Sequence, residues 1–155
     1  MAEPDPADGE ARSLFARPLL PVANPDDAAS TARAALPRVA AVGGRPLVVN
    51  VIEKGGGAPD KAPLEQMEEL AEESFDTVRE HATAAGVDVD TETLYGTDVA
   101  ETIFEAAREN DVTAIVFTPR DGNRFWDLLT GGIRDDLVTE SDRPVVVLPT
   151  PEDEA

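Results

Sequence analysis

The chain has 155 residues, 41% of them hydrophobic, so it is long enough to bury one sizeable core. It contains no cysteine, which excludes disulfides, thiolate nucleophiles and thiolate metal sites, and no apolar run approaches the roughly 18 residues of a membrane-spanning helix. The 32 acidic residues outnumber the 13 basic ones, and the formal net charge of −19 repels nucleic acid and anionic membrane surfaces.

The acidic surface has two interpretations. Only two basic residues are lysines, Lys54 and Lys61, and we interpret the acid-rich, lysine-poor composition as a halophilic adaptation to a salt-filled cytoplasm. Salt shortens the Debye length to about 3 Å at 1 M and so screens the repulsion. The alternative is an acidic face that recruits a basic partner. The N-terminal region has no basic segment followed by an apolar stretch, which is the pattern of a secretory signal. We therefore expect a cytoplasmic protein.

The two ends of the chain differ in composition from the middle. Residues 1–16 mix Pro, Asp, Glu, Gly and Ala without periodicity and predict a disordered tail, although Leu14 and Phe15 could dock on the domain. Residues 151–155 predict a short acidic tail. A single domain is therefore expected over residues 17–150.

The first part of the domain predicts a strand and a helix. The apolar run 18–23 predicts the first strand. Pro25 and Asp26 open a helix whose apolar residues follow helical spacing and which Gly43-Gly44 ends. Pro37 lies inside this pattern and should kink the helix.

The middle of the domain repeats the alternation. The β-branched run 47–52 predicts a strand covered on both faces. A helix follows over residues 64–85, with Gly86 at its end. The segment 87–95 alternates apolar and polar residues at first, which indicates a strand with one wet face near a sheet edge.

The last part of the domain contains one helix start, two strands and a final helix. Asp98 and Glu101 have the spacing of a capping box before another amphipathic helix. Residues 113–117 predict the fourth strand, residues 131–141 the last helix, and residues 145–148 the fifth strand. Strands separated by helices are parallel and right-handedly connected, which predicts an α/β fold: a single doubly wound sheet with helices on both faces.

The segment 118–132 is the strongest candidate for a ligand site. Gly131 and Gly132 at a helix start can present free N–H groups to an anion, and Arg120 and Arg124 could contact phosphate. The simpler alternative is a strand-to-helix turn with exposed arginines. Open α/β sheets bind ligands at this end of their strands, but a Gly-Gly pair alone is a weak signal, and the residues by themselves favour the simpler alternative.

Other residues that could carry chemistry have structural explanations. His81 is the only histidine and has no partner at ligand spacing, so no metal site is predicted. The serines lie in no nucleophile-elbow pattern. Phe125 and Trp126 could pack on the core or stack on a purine ring. If the fifth strand lies at the sheet edge, a second copy of the chain could pair with it. The dimer edge would then consist of Val145, Val146, Val147 and Leu148.

Over residues 17–149 the chain resembles the universal stress protein family. The resemblance rests on the segments RPLLPVANPDDAASTARAALPRVAAVGG, LVVNVIEK, GTDVAETIFEAARENDVTAIVFTPR and GGIRDDLVTESDRPVVVLP. It implies a five-stranded parallel sheet in the order 3-2-1-4-5, similar to adenine-nucleotide alpha-hydrolases. It also implies a homodimer, commonly through the fifth strand.

The nucleotide-binding motif of that family is incomplete here. Members that bind nucleotide carry Gly-x2-Gly-x9-Gly-(Ser/Thr) between the fourth strand and the last helix. An ungapped alignment places there Thr118, Asp121, Gly131 and Gly132, and a shift by one residue places there Pro119, Gly122, Gly132 and Ile133. The family's first strand usually ends in an aspartate that contacts the adenine end, whereas this chain has Ala23 followed by Asn24.

The resemblance implies a candidate nucleotide site formed by Ala23, Asn24, Ile52, Thr118, Arg120, Gly122, Gly131 and Gly132. Because one charge-assisted hydrogen bond is worth about 1.5–3 kcal/mol, the missing groups predict a member that does not bind ATP tightly and needs no cofactor. We expect a dimeric regulatory or binding module in the stress response, whose partner could be a transporter or a signalling protein. The alternatives are an AMP- or ATP-binding switch and, less in keeping with the residues, an adenylating, pyrophosphatase-type or weak ATPase enzyme.

Overall fold

The structure, a computed structural model, describes residues 13–53, 64–118 and 142–149. Strands and helices alternate along this part of the chain, as the sequence predicts. The elements are β1 (Pro18–Pro21), α1 (Pro25–Ala41), β2 (Leu47–Glu53), α2 (Leu64–Ala85), β3 (Asp90–Gly96), α3 (Val99–Glu109), β4 (Ala114–Phe117) and β5 (Val145–Val147). The predicted helix 131–141, most of the predicted tail 1–16 and the tail 151–155 lie outside the described residues.

The five described strands form one parallel sheet in the order β3-β2-β1-β4-β5. This confirms the predicted fold class and strand order, and it places both β3 and β5 at sheet edges. The chain leaves β1 towards β2 and later returns to the other side of β1 through β4. A crevice opens at such a reversal of strand order, beyond the carboxyl ends of the strands.

Each face of the sheet packs against helices through its own apolar cluster. Leu20 and Val48 point to the face covered by α1 and α2, whereas Leu19 and Val49 point to the face covered by α3. Successive side chains of a strand alternate between faces, so a strand that is apolar at every position is buried on both sides. No helix in the described ranges is both long and apolar enough to cross a membrane.

Helices α1 and α2 end at the predicted glycines. Gly43 and Gly86 have φ of 68° and 75°, the left-handed conformation that closes a helix. After α2, the Val87 N–H donates to the Ala82 carbonyl at 2.9 Å. Val87 therefore belongs to the helix cap, which explains why β3 begins at Asp90 and not at the predicted residue 87.

Other boundaries differ from the prediction by one or two residues. Strand β1 ends at Pro21 and not at residue 23, because the Ala23 N–H donates at 2.8 Å to a side chain, the Asp27 carboxylate. Strands β4 and β5 are each one residue shorter than predicted, and β2 extends by one residue to Glu53, which pairs with Gly96. Helix α1 continues through Pro37, whose ring is exposed.

The amino ends of the strands are joined by backbone hydrogen bonds and ion pairs. The Arg45 N–H donates to the Ala16 carbonyl at 2.8 Å, and Phe15 packs against the core, so the residues just before β1 do dock as the sequence allowed. Asp90 accepts hydrogen bonds from Arg45 at 2.8 and 3.0 Å and from Arg17 at 2.7 Å. These two guanidinium groups lower the pKa of Asp90 to about 2.

Candidate functional site

Parallel pairing brings four of the predicted site residues to one end of the sheet. Ala23 and Asn24 follow β1, Ile52 lies near the end of β2, and Thr118 follows β4. The strands β2, β1 and β4 are neighbours, so their carboxyl ends meet at the reversal of strand order. Arg120, Gly122, Gly131 and Gly132, together with Arg124, Phe125 and Trp126, lie outside the described residues.

Two hydrogen bonds that share Asp27 close the turn between β1 and α1. The Asn24 side chain caps the helix, because its Oδ1 accepts from the Asp27 N–H at 2.8 Å. The Asp27 carboxylate in turn accepts from the Ala23 N–H at 2.8 Å. The arrangement differs from a capping box, because the first-turn carboxylate bonds the backbone N–H of the residue before the cap and not that of the cap itself.

Asp27 is a buried acid, with only 2% of its surface exposed. Its carboxyl group accepts from the Ala23 N–H and lies in the first turn of α1, where the helix dipole favours an anion. Asp26 beside it is exposed. A carboxyl group of the protein itself therefore lies at the positive end of α1.

A layer of buried polar groups lies beneath this turn. The hydroxyls of Thr31 and Thr118 are 3.3 Å apart, and both residues are fully buried. Asn50 donates from Nδ2 to the Val22 carbonyl at 2.9 Å and thereby joins β2 to the end of β1. The side chain of Thr118 is thus directed at helix α1.

Ser30 is an exception in this layer. Within the described part of the chain, it is fully buried and its Oγ has no hydrogen-bond partner. A buried hydroxyl without a partner costs stability, and the cost is commonly about 1–3 kcal/mol. Ser30 follows Asp27 by three residues on α1, so both lie on the buried side of that helix.

Sequence reasoning misses the residues that organise this site. Asp27, Thr31 and Asn50 are not among the predicted site residues, although two signals point to them. Asn24 and Asp27 have capping spacing, and Asn50 interrupts an otherwise apolar buried strand. The Thr31–Thr118 pair joins residues 87 positions apart and leaves no local signal.

No other described cluster competes with this site. His81 lies 3.0 Å from the Thr77 carbonyl through Nδ1, within its own helix. The residues that the structure describes contain no group of three or more acidic or histidine side chains suited to hold a metal ion.

The predicted dimer edge is only partly available. Among the described strands, β5 pairs with β4 alone, and Val147 is 44% exposed while Val145 and Val146 are half-buried. Leu148 is 6% exposed and belongs to the core cluster that includes α1 and α2. The apolar edge therefore consists of the three valines.

The sequence of the chain matches a known protein family over most of its length. The model of the universal stress protein family matches residues 15–149. A comparison with curated protein sequences found no match.

Solved structures of similar fold belong to the same family. A universal stress protein from Burkholderia pseudomallei is 23% identical with a TM-score of 0.64, over 89% of this chain and 98% of that one. The Archaeoglobus fulgidus protein in complex with dAMP is 20% identical with a TM-score of 0.61, over 88% and 99%. An Arabidopsis thaliana family member with AMP bound is 14% identical with a TM-score of 0.57, over 89% and 94%. With the family match covering nearly the whole chain, the protein belongs to the universal stress protein family.

Proposed function

We propose that this chain is a dimeric binding or regulatory module of the stress response and that it does not bind ATP tightly. The observation that carries the proposal is the closed turn after β1. Ala23 stands where the family usually has an aspartate, and its N–H is bonded to Asp27. Asn24, the next polar residue, is used as a helix cap.

The energetic argument concerns groups that a nucleotide would need. Alanine has no side chain that can accept a hydrogen bond from adenine, and the Ala23 amide would have to leave a buried carboxylate to contact a ligand. One charge-assisted hydrogen bond is worth about 1.5–3 kcal/mol, which is roughly a tenfold to hundredfold change in Kd.

The same geometry favours binding over catalysis. Among the described residues near this turn, Thr31 and Thr118 are fully buried and their hydroxyls lie 3.3 Å apart, which supports a structural role for this pair. A catalytic nucleophile needs an exposed approach and an adjacent base. We therefore propose that the protein acts in the cytoplasm by binding a partner, such as a transporter or a signalling protein.

An AMP- or ATP-binding switch is the second candidate. It is favoured by the relatives of the same fold whose structures contain dAMP and AMP. In this alternative, the amides of Gly131 and Gly132, with Arg120 and Arg124, would bind the phosphates. The two candidates differ in a single measurable property, the affinity for adenine nucleotides.

Calorimetric titration with ATP and Mg²⁺, and separately with AMP, in molar KCl distinguishes them. We expect no saturable heat at micromolar nucleotide. The variant Ala23→Asp restores the carboxylate that the family usually has and should bind more tightly than the wild type. Ala40→Asp, an exposed position on the helix that follows, adds the same charge elsewhere and should not. Saturable micromolar binding by the wild type would favour the switch.

The dimer is proposed to form through β5. Among the described strands β5 pairs with β4 alone, so its other backbone edge, beside the exposed Val147, can pair with a second copy. Sedimentation in molar KCl should show a dimer that Val147→Asp converts to monomer. A wild-type protein that sediments only as a monomer would contradict this arrangement.

A further inference from the structure

Residues 13–16 form a short turn at the amino ends of the strands, and we call this turn the strap. It is closed by hydrogen bonds of its own. The Ala16 N–H donates to the Ser13 carbonyl at 3.0 Å, and the Phe15 N–H donates to the Ser13 hydroxyl at 3.0 Å. Because both bonds lie within the strap, they do not depend on its contact with the rest of the domain.

One hydroxyl joins the strap to the start of β4. Thr113 donates from Oγ1 to the Leu14 carbonyl at 2.8 Å, and the same oxygen accepts from the Arg17 N–H at 3.0 Å. A threonine hydroxyl can donate one hydrogen bond and accept others, so this single group bonds two backbone groups of the segment. Arg17 itself already belongs to the sheet, because its carbonyl accepts from the Thr113 N–H at 2.8 Å.

On its other side, the strap contacts the turn between α1 and β2. The Ala16 carbonyl accepts from the Arg45 N–H at 2.8 Å, and Gly44 lies so close that an added Cβ would be 2.8 Å from the Ala16 carbonyl oxygen. The Phe15 side chain is half-buried and packs against the apolar cluster shared by α1, α2 and the sheet. The strap therefore covers part of the core at this end of the molecule.

The strap is less buried than the strand that follows it. Leu14 is 40% exposed, and Ser13, Phe15 and Ala16 are each partly exposed. Strand β1, in contrast, is buried at every position and pairs with β2 on one side and β4 on the other. A segment held by partly exposed contacts opens at a lower free energy than the buried sheet beside it.

We propose that the strap is a closure of the core that opens by itself while the sheet stays folded, and that the Thr113 hydroxyl controls this opening. The strap turns about Arg17, which remains paired with β4. Opening withdraws Phe15 from the apolar cluster and breaks the bond between Ala16 and Arg45. This conformational device depends neither on nucleotide binding nor on the dimer, so it can fail without them.

Amide hydrogen exchange of the full chain in molar KCl tests whether the opening is local. The Arg45 amide is bonded to Ala16 and reports on the strap, whereas the Val22 amide, bonded to the Val49 carbonyl at 2.9 Å, reports on the sheet. In the wild type, the Arg45 amide should exchange while Val22 stays protected. Its rate should be nearly independent of urea below the unfolding transition, because opening the strap exposes little surface.

The urea dependence also provides the contradictory result. An Arg45 exchange rate that rises with urea as steeply as global unfolding, measured by circular dichroism, would overturn the proposal, because the strap would then open only with the whole domain.

Variants of Thr113 test the role of its hydroxyl. Thr113→Val keeps the shape and removes the hydroxyl, so exchange at Arg45 should be about tenfold faster, the effect of two lost hydrogen bonds. Cleavage by chymotrypsin after Phe15, identified by mass spectrometry, should accelerate by a similar factor. Thr113→Ser keeps the hydroxyl and should behave nearly as the wild type does.

Thr77→Val is the matched control. The Thr77 hydroxyl donates to the Glu73 carbonyl within α2, away from the strap. This variant should leave exchange at Arg45 unchanged, and circular dichroism should show that all variants remain folded. Equal exchange rates in Thr113→Val and Thr113→Ser, or an equally large acceleration in Thr77→Val, would show that the Thr113 hydroxyl does not control the strap.

Discussion

The two ends of the sheet are stabilised by different interactions. At the amino ends, exposed charges dominate: Asp90 pairs with Arg17 and Arg45, whose side chains are 25% and 53% exposed. At the carboxyl ends, the polar groups are buried and bonded to one another, as in Asp27 with Ala23 and Thr31 with Thr118. Among the described residues, the polar groups at the carboxyl ends are thus engaged mainly within the protein, whereas those at the amino ends are closer to solvent.

The largest expected loss of stability comes from a substitution at the amino ends of the strands, where Gly44 packs closely against the residues before β1. A Cβ at Gly44 would collide with the backbone carbonyl of Phe15 and lie 2.8 Å from that of Ala16. Gly44→Ala should therefore cost about 3 kcal/mol of unfolding free energy. It should also speed hydrogen exchange at the Arg45 amide, which is bonded to Ala16.

The neighbouring glycine provides the control for that prediction. Gly43 has a positive φ, and a Cβ added there would meet no atom within 4 Å, so Gly43→Asn should cost less than about 1 kcal/mol. Chemical denaturation of both variants measures the difference. Equal losses would show that the residues before β1 do not pack as described.

At the carboxyl end, the strongest single contact is expected to be that of Asp27. Asp27→Ala leaves the Ala23 amide without its carboxylate and should cost about 2 kcal/mol. Asp26→Ala, at the exposed neighbouring position, is the control and should change stability much less. If both variants lose the same free energy of unfolding, the buried turn is not the stabilising element.

The hydroxyl pair beneath the turn should show coupling. Thr31→Val and Thr118→Val should each cost about 1 kcal/mol, because each leaves a buried hydroxyl opposite a methyl group. The double variant should cost less than the sum of the two. A double-mutant cycle by urea denaturation measures this coupling, and additive losses would mean that the hydroxyls do not interact.

The smallest expected contribution to the free energy of unfolding is that of Asp90, although it pairs with two arginines. Its folded pKa of about 2 lies below the ordinary value of 3.8, so its contribution is fully present above about pH 5 and is lost as pH falls through 4 towards 2. Because its side chain is 36% exposed, the contribution should remain below about 1 kcal/mol and decrease further in salt.

Acid titration of stability tests this window. The difference in unfolding free energy between the wild type and Asp90→Asn should shrink between pH 4 and pH 2 and be constant above about pH 5. A difference that is unchanged at pH 2 would show that Asp90 acts through packing and not through its charge.

The sequence predicted the fold because its signals are local. Gly43 and Gly86 end helices through their own backbone conformation, and Asp98 caps α3 by bonding the Glu101 amide three residues away. The continuous apolar runs of β1 and β2 require burial on both faces, which predicts the layered sheet. The ends of strands are harder to predict from sequence. Val87 is compatible both with a strand and with a helix end, and its N–H bond to the Ala82 carbonyl assigns it to the end of α2.

The candidate site was less predictable because it depends on contacts between distant segments. Asp26 and Asp27 are identical in type and adjacent, yet one is exposed and the other buried. The glycine motif predicts Thr118 as a residue of the ligand site, and the structure adds a contact of its side chain with Thr31 on α1 that no sequence signal predicts. Sequence spacing gives the position of a residue along the chain but not the direction of its side chain after packing.

The central claim is that the groups at the end of β1 bind the protein itself and not a nucleotide. A structure of crystals grown with millimolar ATP and Mg²⁺ tests this claim most directly. The account predicts that the Ala23 N–H still donates to Asp27 and that no adenylate lies over the carboxyl ends of β1 and β4. An ordered nucleotide at that position, with the Ala23 N–H bonded to the nucleotide and not to Asp27, would contradict the claim.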